Sequence, residues 1–384
     1  MSSAPTATPP APPTSRPGLH RAAVTVGQYR NYRRDGFVIV RGLVPPDDIA
    51  ELRQHTDDLM QGRLPEQRDL PTLDPEEAER QATENRRARG EARTKRELFR
   101  PDDDLPPDEK AKQFLRIHML HRQLALHERY LLHPRVLDVV EVLTGPDVMA
   151  LQTMLFLKPP GSQGQGWHQD SFYIPTSPDS LIGAWLAIDD ADEYNGGLWF
   201  AKGSGAEPVH PPCPDQQTYG FGDRLVSDVP HIRRPSDPDD EVNMLAPVAD
   251  RYDQVLGSVK AGDVVFFNGH VLHRSKANVT ADRFRRAFVA HYANARAFTA
   301  WGRDEDNPHG QDPDTGATNA SHILARGDTH LPFAKPRFGT PCAATLPPDQ
   351  RDAQNRDTVR RIAAANHGLM GCAIDNPEQL IDHD

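Results

Sequence analysis

The feature that most constrains this chain is a pentapeptide, Trp167-His168-Gln169-Asp170-Ser171, answered far downstream by His273. Side chains on an extended strand alternate with period two, so His168 and Asp170 of the His-x-Asp pair point to one face. One imidazole and one carboxylate then converge on a point, and a histidine from a distant strand completes the set. Two histidines and one carboxylate form the facial triad that suits non-haem Fe(II), with positions left open for a co-substrate and dioxygen.

The chain carries its own control in His55-Thr56-Asp57. That copy lies in a stretch starting Pro46-Asp47-Asp48-Ile49-Ala50-Glu51, which reads as a capped amphipathic helix where residues two apart point in different directions. A solvated helix face is expected there. The copy at His168 instead follows the flexible run Pro159-Pro160-Gly161-Ser162-Gln163-Gly164-Gln165-Gly166 and precedes Phe172-Tyr173-Ile174, a pattern that favours an extended strand entering from a loop.

Downstream, Gly262-Asp263 reads as a turn and Val264-Val265-Phe266-Phe267 as a buried strand, leaving His270 and His273 both chemically able to be the distal ligand. Arg283, Arg285 and Arg286 then lead into the mostly apolar strand Ala287-Phe288-Val289-Ala290-His291-Tyr292. An arginine entering such a strand needs an anionic partner, and a guanidinium fork suits the distal carboxylate of a dicarboxylic acid. At least two of the three are expected to be surface charges at a strand end.

Five blocks in order resemble the phytanoyl-CoA dioxygenase family of Fe(II)- and 2-oxoglutarate-dependent oxygenases. They are Tyr32 to Val44, read as a first strand and the helix after it; Leu151 to Pro160; Trp167-His168-Gln169-Asp170; Ala184 to Ala191 with the Asn195-Gly196-Gly197 turn; and His273-x-Ser275-x-x-Asn278-x-Thr280 with Arg285-Arg286-Ala287. The resemblance implies that His168, Asp170 and His273 bind iron and that Ser275 donates a hydrogen bond to the distal carboxylate of 2-oxoglutarate. It points to Arg285 as the partner of that carboxylate, although the spacing from His273 is one residue longer than usual and leaves Arg283 and Arg286 open. It also implies that Trp185 lines the co-substrate pocket, with Gln152 at the other end. The family's Gly-Ser-His after the glycine turn is absent, and His210 reads as a loop residue.

The implied cofactors are Fe(2+), 2-oxoglutarate and O2, and the implied reaction oxidises an unactivated C–H bond of a small molecule with release of succinate and CO2. Hydroxylation is the default outcome. Related halogenases replace the carboxylate ligand, so Asp170 disfavours halogen transfer. Two other readings share the same barrel: a non-catalytic small-molecule-binding protein, and a cupin-like metal isomerase or hydrolase. The second has no need of a carboxylate clamp such as Ser275 with Arg285.

The expected fold is mainly β with flanking helices: repeated short strands and turns agree with a jelly roll, and the resemblance specifies a cupin-like double-stranded β-helix. Residues 1–20 read as a disordered Pro-rich leader, 21–340 as a single oxygenase domain with a charged insertion at about 61–112, and 341–384 as a tail with one helix, Asp352 to Leu369. Within the insertion Pro75 to Asn85 reads as an exposed helix, and Phe114 to Leu120 as a return to family-like helix. A formal net charge of −11 argues against nucleic acid as a main partner. No apolar run approaches the roughly 18 residues of a membrane span. Three cysteines, an odd number without paired metal spacing, fit a reducing cytoplasm.

Overall fold

Continuous apolar runs such as Val264-Val265-Phe266-Phe267 belong to a sheet buried on both faces, and that sheet is the backbone of the molecule. A computed structural model describes residues 21–61, 63–64, 116–122, 124–211, 232, 236–297, 299, 322–329 and 335–336. The expected leader, the Pro75 to Asn85 helix, the Asp352 to Leu369 helix and all three cysteines lie outside the described residues.

In chain order the strands are β1 (Phe37–Val40), β2 (Arg116–His118), β3 (Val148–Phe156), β4 (Gln165–His168), β5 (Ile182–Ala187) and β6 (Leu198–Ala201). They continue as β7 (Gln254–Gly257), β8 (Val264–Asn268), β9 (His273–Ser275), β10 (Ala287–Asn294), β11 (Ile323–Arg326) and β12 (Lys335–Pro336). The helices are α1 (Val26–Asp35), α2 (Pro46–Met60), α3 (Ala125–Leu131), α4 (Pro134–Thr144) and the short α5 (Ala246–Ala249).

An eight-stranded sheet has the order β1-β8-β5-β10-β3-β11-β12, with β2 also on β3, and a four-stranded sheet has the order β4-β9-β6-β7. Every pairing except that of β11 with β12 is antiparallel. Alternation along β8 shows how the layers are filled. Val264 and Phe266 join Leu52, Leu131, Val139 and Phe288 in the core beneath the helices, while Val265 and Phe267 join Trp185, Phe200 and Val289 between the sheets. Phe266 and Phe267 are almost wholly buried, each contributing on the order of 2 kcal/mol. Phe200 of the smaller sheet stacks on Phe37 of the larger at 4.2 Å. Two antiparallel sheets face to face, the larger backed by helices, make the expected jelly roll.

Local structure departs from the sequence reading in four places. The first block opens on the end of a helix before its strand, and the helix after the strand starts only at Pro46, because Thr25 and Gln28 form a capping box that starts α1 and Gly36 ends it with φ of 85°. Residues 116–118 form β2 rather than a helix, since they pair with Met154 to Phe156 of β3. The control motif His55-Thr56-Asp57 does lie on a helix, α2, but His55 and Thr56 are buried rather than solvated, and no side chain caps that helix. Phe172-Tyr173-Ile174 is a turn, because the Asp170 carbonyl accepts the N–H groups of Tyr173 and Ile174. Among the described residues no helix is long and apolar enough to cross a membrane.

Candidate active site

β4 ends on His168, β9 begins on His273, and the two residues are register partners. Their rings lie 4.1 Å apart between centroids, and Phe267 and Phe200 flank His273 at 4.7 and 6.0 Å. Gln169 keeps an extended backbone, φ −118° and ψ 132°, so Asp170 returns to the face of His168 before the chain turns. Asp170 Oδ1 is 3.7 Å from His168 Nε2 and 3.6 Å from His273 Nε2. One ligand atom from each of the three residues lies within 4.8 Å of the others, and all three side chains are buried. Gln169 points away, donating to the carbonyls of Pro208 and His270 and accepting the N–H of His210.

The imidazoles are prepared for a cation. His168 Nδ1 is 2.8 Å from the Gly166 carbonyl and His273 Nδ1 is 3.0 Å from the Val271 carbonyl. A carbonyl only accepts, so each Nδ1 carries a hydrogen, and Nε2 is the ring nitrogen turned toward Asp170. Two imidazoles and one carboxylate are the donor set of a facial Fe(II) site. His270 is elsewhere, with Nδ1 2.7 Å from the Glu207 carbonyl and Nε2 3.2 Å from Asp179.

Behind Asp170 stands His291 of β10, with Nε2 2.8 Å from Asp170 Oδ2. Its cross-strand partner Gln152 on β3 reaches His291 Nδ1 at 3.0 Å. Burial would raise the Asp170 carboxyl, but the facing imidazoles of His273, His291 and His168, with the His291 hydrogen bond, outweigh it. The carboxyl is held well below the usual range. Thus Gln152 abuts the rear of the carboxylate through His291.

The three arginines separate by burial and by partner. Arg283 pairs with Asp192 at 2.7 Å on the surface, and Arg286 pairs with Asp189 at 2.7 Å and also with Asp57. Arg285 shares the inner phase of Ala287 and is 2% exposed, with Nε and Nη1 buried and unpartnered. Its guanidinium lies 5.3 Å from the Trp185 ring and 5.7 Å from the Phe156 ring. Burial presses it down to about 9 against the opposing pull of Asp189. Ser275, also buried, accepts a hydrogen bond from Lys158 Nζ at 3.1 Å.

Sequence reasoning missed His291, Lys158 and Gln165. Gln165 Nε2 is 3.1 Å from His168 Nε2 and 3.5 Å from Ser236 Oγ, which meets the Tyr173 hydroxyl at 2.7 Å. Period two along β4 puts Gln165, three residues before His168, on the opposite face, and a bulge between the two shifts that phase.

The family model described as phytanoyl-CoA dioxygenase (PhyH) matches residues 32–287. The peroxisomal phytanoyl-CoA dioxygenase of Mus musculus is 27% identical over 282 residues, covering 72% of this chain and 70% of that protein. Phytanoyl-CoA dioxygenase domain-containing protein 1 of Danio rerio is 26% identical over 293 residues, covering 71% and 90%. Among solved structures, the epimerase SnoN in complex with Fe3+, alpha ketoglutarate and nogalamycin RO aligns at 19% identity with a TM-score of 0.48, covering 76% of this chain and 91% of that one.

Proposed function

Because this chain belongs to the phytanoyl-CoA dioxygenase family, and is thereby a non-haem iron- and 2-oxoglutarate-dependent oxygenase, we propose that it oxidises an unactivated C–H bond of a small molecule. His168, Asp170 and His273 hold Fe(II) in this reading, and Arg285 with Ser275 holds the distal carboxylate of 2-oxoglutarate. One observation carries it: a buried set of two imidazoles and a carboxylate shares the space between the sheets with a buried arginine that has unpartnered nitrogens.

Iron with bound 2-oxoglutarate supplies dioxygen-dependent oxidation of the substrate, coupled to release of succinate and CO2. The chain's own residues orient and shield. His168 and His273 offer Nε2 because their Nδ1 hydrogens are committed to backbone carbonyls. Asp170 offers Oδ1 because His291 occupies Oδ2. Trp185 and Phe156 wall the Arg285 guanidinium and keep water from competing for it. Arg285 rather than Arg283 or Arg286 takes the carboxylate, since the other two are already paired with aspartates.

Residues 21–340 form one catalytic domain in this reading, and the odd number of cysteines supports a reducing, cytoplasmic setting. The test is turnover without added substrate: slow succinate formation that requires Fe(II), 2-oxoglutarate and O2 together, and that Asp170→Ala abolishes. Succinate formation retained by that variant overturns the proposal.

A further inference from the structure

Lys158 lies just beyond β3 and is 1% exposed. Its Nζ donates to Ser275 Oγ at 3.1 Å and to the Gln163 carbonyl at 3.1 Å. Its backbone carbonyl accepts the N–H of Arg285 at 3.1 Å, so the two cationic residues are hooked together at one point of the chain. Neither forms an ion pair among the described residues, and Asp189, whose charge reaches Arg285, is committed to Arg286. The lysine is held there at a conformational cost, with φ of 25°. Gly196, itself at φ +87°, makes room for the stem: a Cβ there would meet Lys158 Cε at 2.2 Å.

Two neighbouring buried basic side chains, with no carboxylate paired to either among the described residues, are groups whose charged forms an incoming anion would favour. We infer that Lys158 is a positioning residue for the distal carboxylate of 2-oxoglutarate, an assignment that rests on the reading of Arg285 and Ser275 above. Protonated beside the carboxylate, the Lys158 ammonium has donors and no acceptor. Ser275 Oγ therefore accepts from Lys158, which leaves the serine's own hydrogen to donate to the carboxylate beside Arg285. Lys158 also adds a second positive charge to the end of the pocket that receives the anion. Burial and then the charge of Arg285 press the ammonium down to about 6, and an arriving carboxylate favours its protonated form.

The experiment is anaerobic titration of the full-length, Mn(II)-loaded protein with 2-oxoglutarate and, separately, with 2-oxobutyrate, which keeps the chelating end and lacks the distal carboxylate. Lys158→Met is expected to weaken 2-oxoglutarate at least tenfold while leaving 2-oxobutyrate and Mn(II) affinities within about twofold. Its ligand-free thermal midpoint is expected at or above that of the wild type, because a buried charge is removed. Lys158→Gln, which keeps a donor to Ser275 without the charge, should fall between and guards against a folding defect in the first variant. Unchanged 2-oxoglutarate affinity in both variants, or equal losses for the two oxo acids, overturns the inference. Failure of the wild-type protein to bind 2-oxoglutarate overturns the proposed function itself, and this assignment with it.

Discussion

His168 and His273 face each other directly across the β4–β9 ladder, ring centroid to ring centroid at 4.1 Å. The candidate iron site is thus one rung of the smaller sheet, completed by the residue two positions beyond the first histidine. A one-residue slip in that register would send one ring to the opposite face. The site and the pairing of these two strands stand or fall together.

Removing the carboxylate leaves two imidazoles that cannot hold the ion in three positions. Asp170→Ala is expected to weaken Fe(II) binding by at least about 100-fold, more than a typical outer contact costs. Circular dichroism should be unchanged. Equilibrium metal titration followed by succinate detection checks both parts.

His291→Ala should act on the metal through Asp170. Loss of the hydrogen bond to Oδ2 is expected to weaken Fe(II) by about 10- to 100-fold, with 2-oxoglutarate affinity of the metal-saturated protein preserved. Gln152→Ala, one contact further out, should show a smaller effect of the same kind. Parallel metal and co-substrate titrations distinguish this from general loss of packing.

The three arginines should separate experimentally as they do in space. In the proposed complex Arg285→Ala removes one partner of a buried charge-assisted contact and should cost 2-oxoglutarate binding about 2–5 kcal/mol. Arg286→Ala should instead lower stability, because Asp189 loses its chief partner. Arg283→Ala, an exposed pair with Asp192, should be nearly silent in both assays. Co-substrate titration and thermal denaturation of the three variants provide the comparison.

Lys158 also predicts a pH signature in the ligand-free protein. Its folded pKa of about 6 lies below its unfolded value, so between about pH 6 and pH 10 the unfolded chain binds the extra proton. Stability therefore rises with pH through that window, by up to about 1.4 kcal/mol per pH unit from this group. Urea denaturation at a series of pH values should show a flatter profile for Lys158→Met than for the wild type.

In the candidate triad His168 and Asp170 were legible from strand phase, being two apart across an extended Gln169, whereas His273 was chosen over His270 by the resemblance of His273-x-Ser275 to the family's motif. Arg285 was legible through the resemblance, which looks two residues before the small strand residue Ala287, and it is the buried one of the three. His291 lies in a strand buried on both faces, where apolar alternation is lost, and the β10–β3 register shifts between His291 and Tyr292. Sequence period cannot say which face such a residue takes. Lys158 belongs to a loop with a left-handed backbone, and its burial depends on the space left by Gly196. Residues 116–118 resembled helix, but pairing with β3 overrode that local tendency.

The most direct test is an anaerobic titration of the metal-free protein with Fe(II) and then 2-oxoglutarate, followed by visible absorption. A charge-transfer band that grows on addition of the oxo acid, saturates at one equivalent and is lost in Asp170→Ala is the predicted result. Stoichiometric iron binding with no band on adding 2-oxoglutarate would contradict the account and leave the triad as a metal site of another kind.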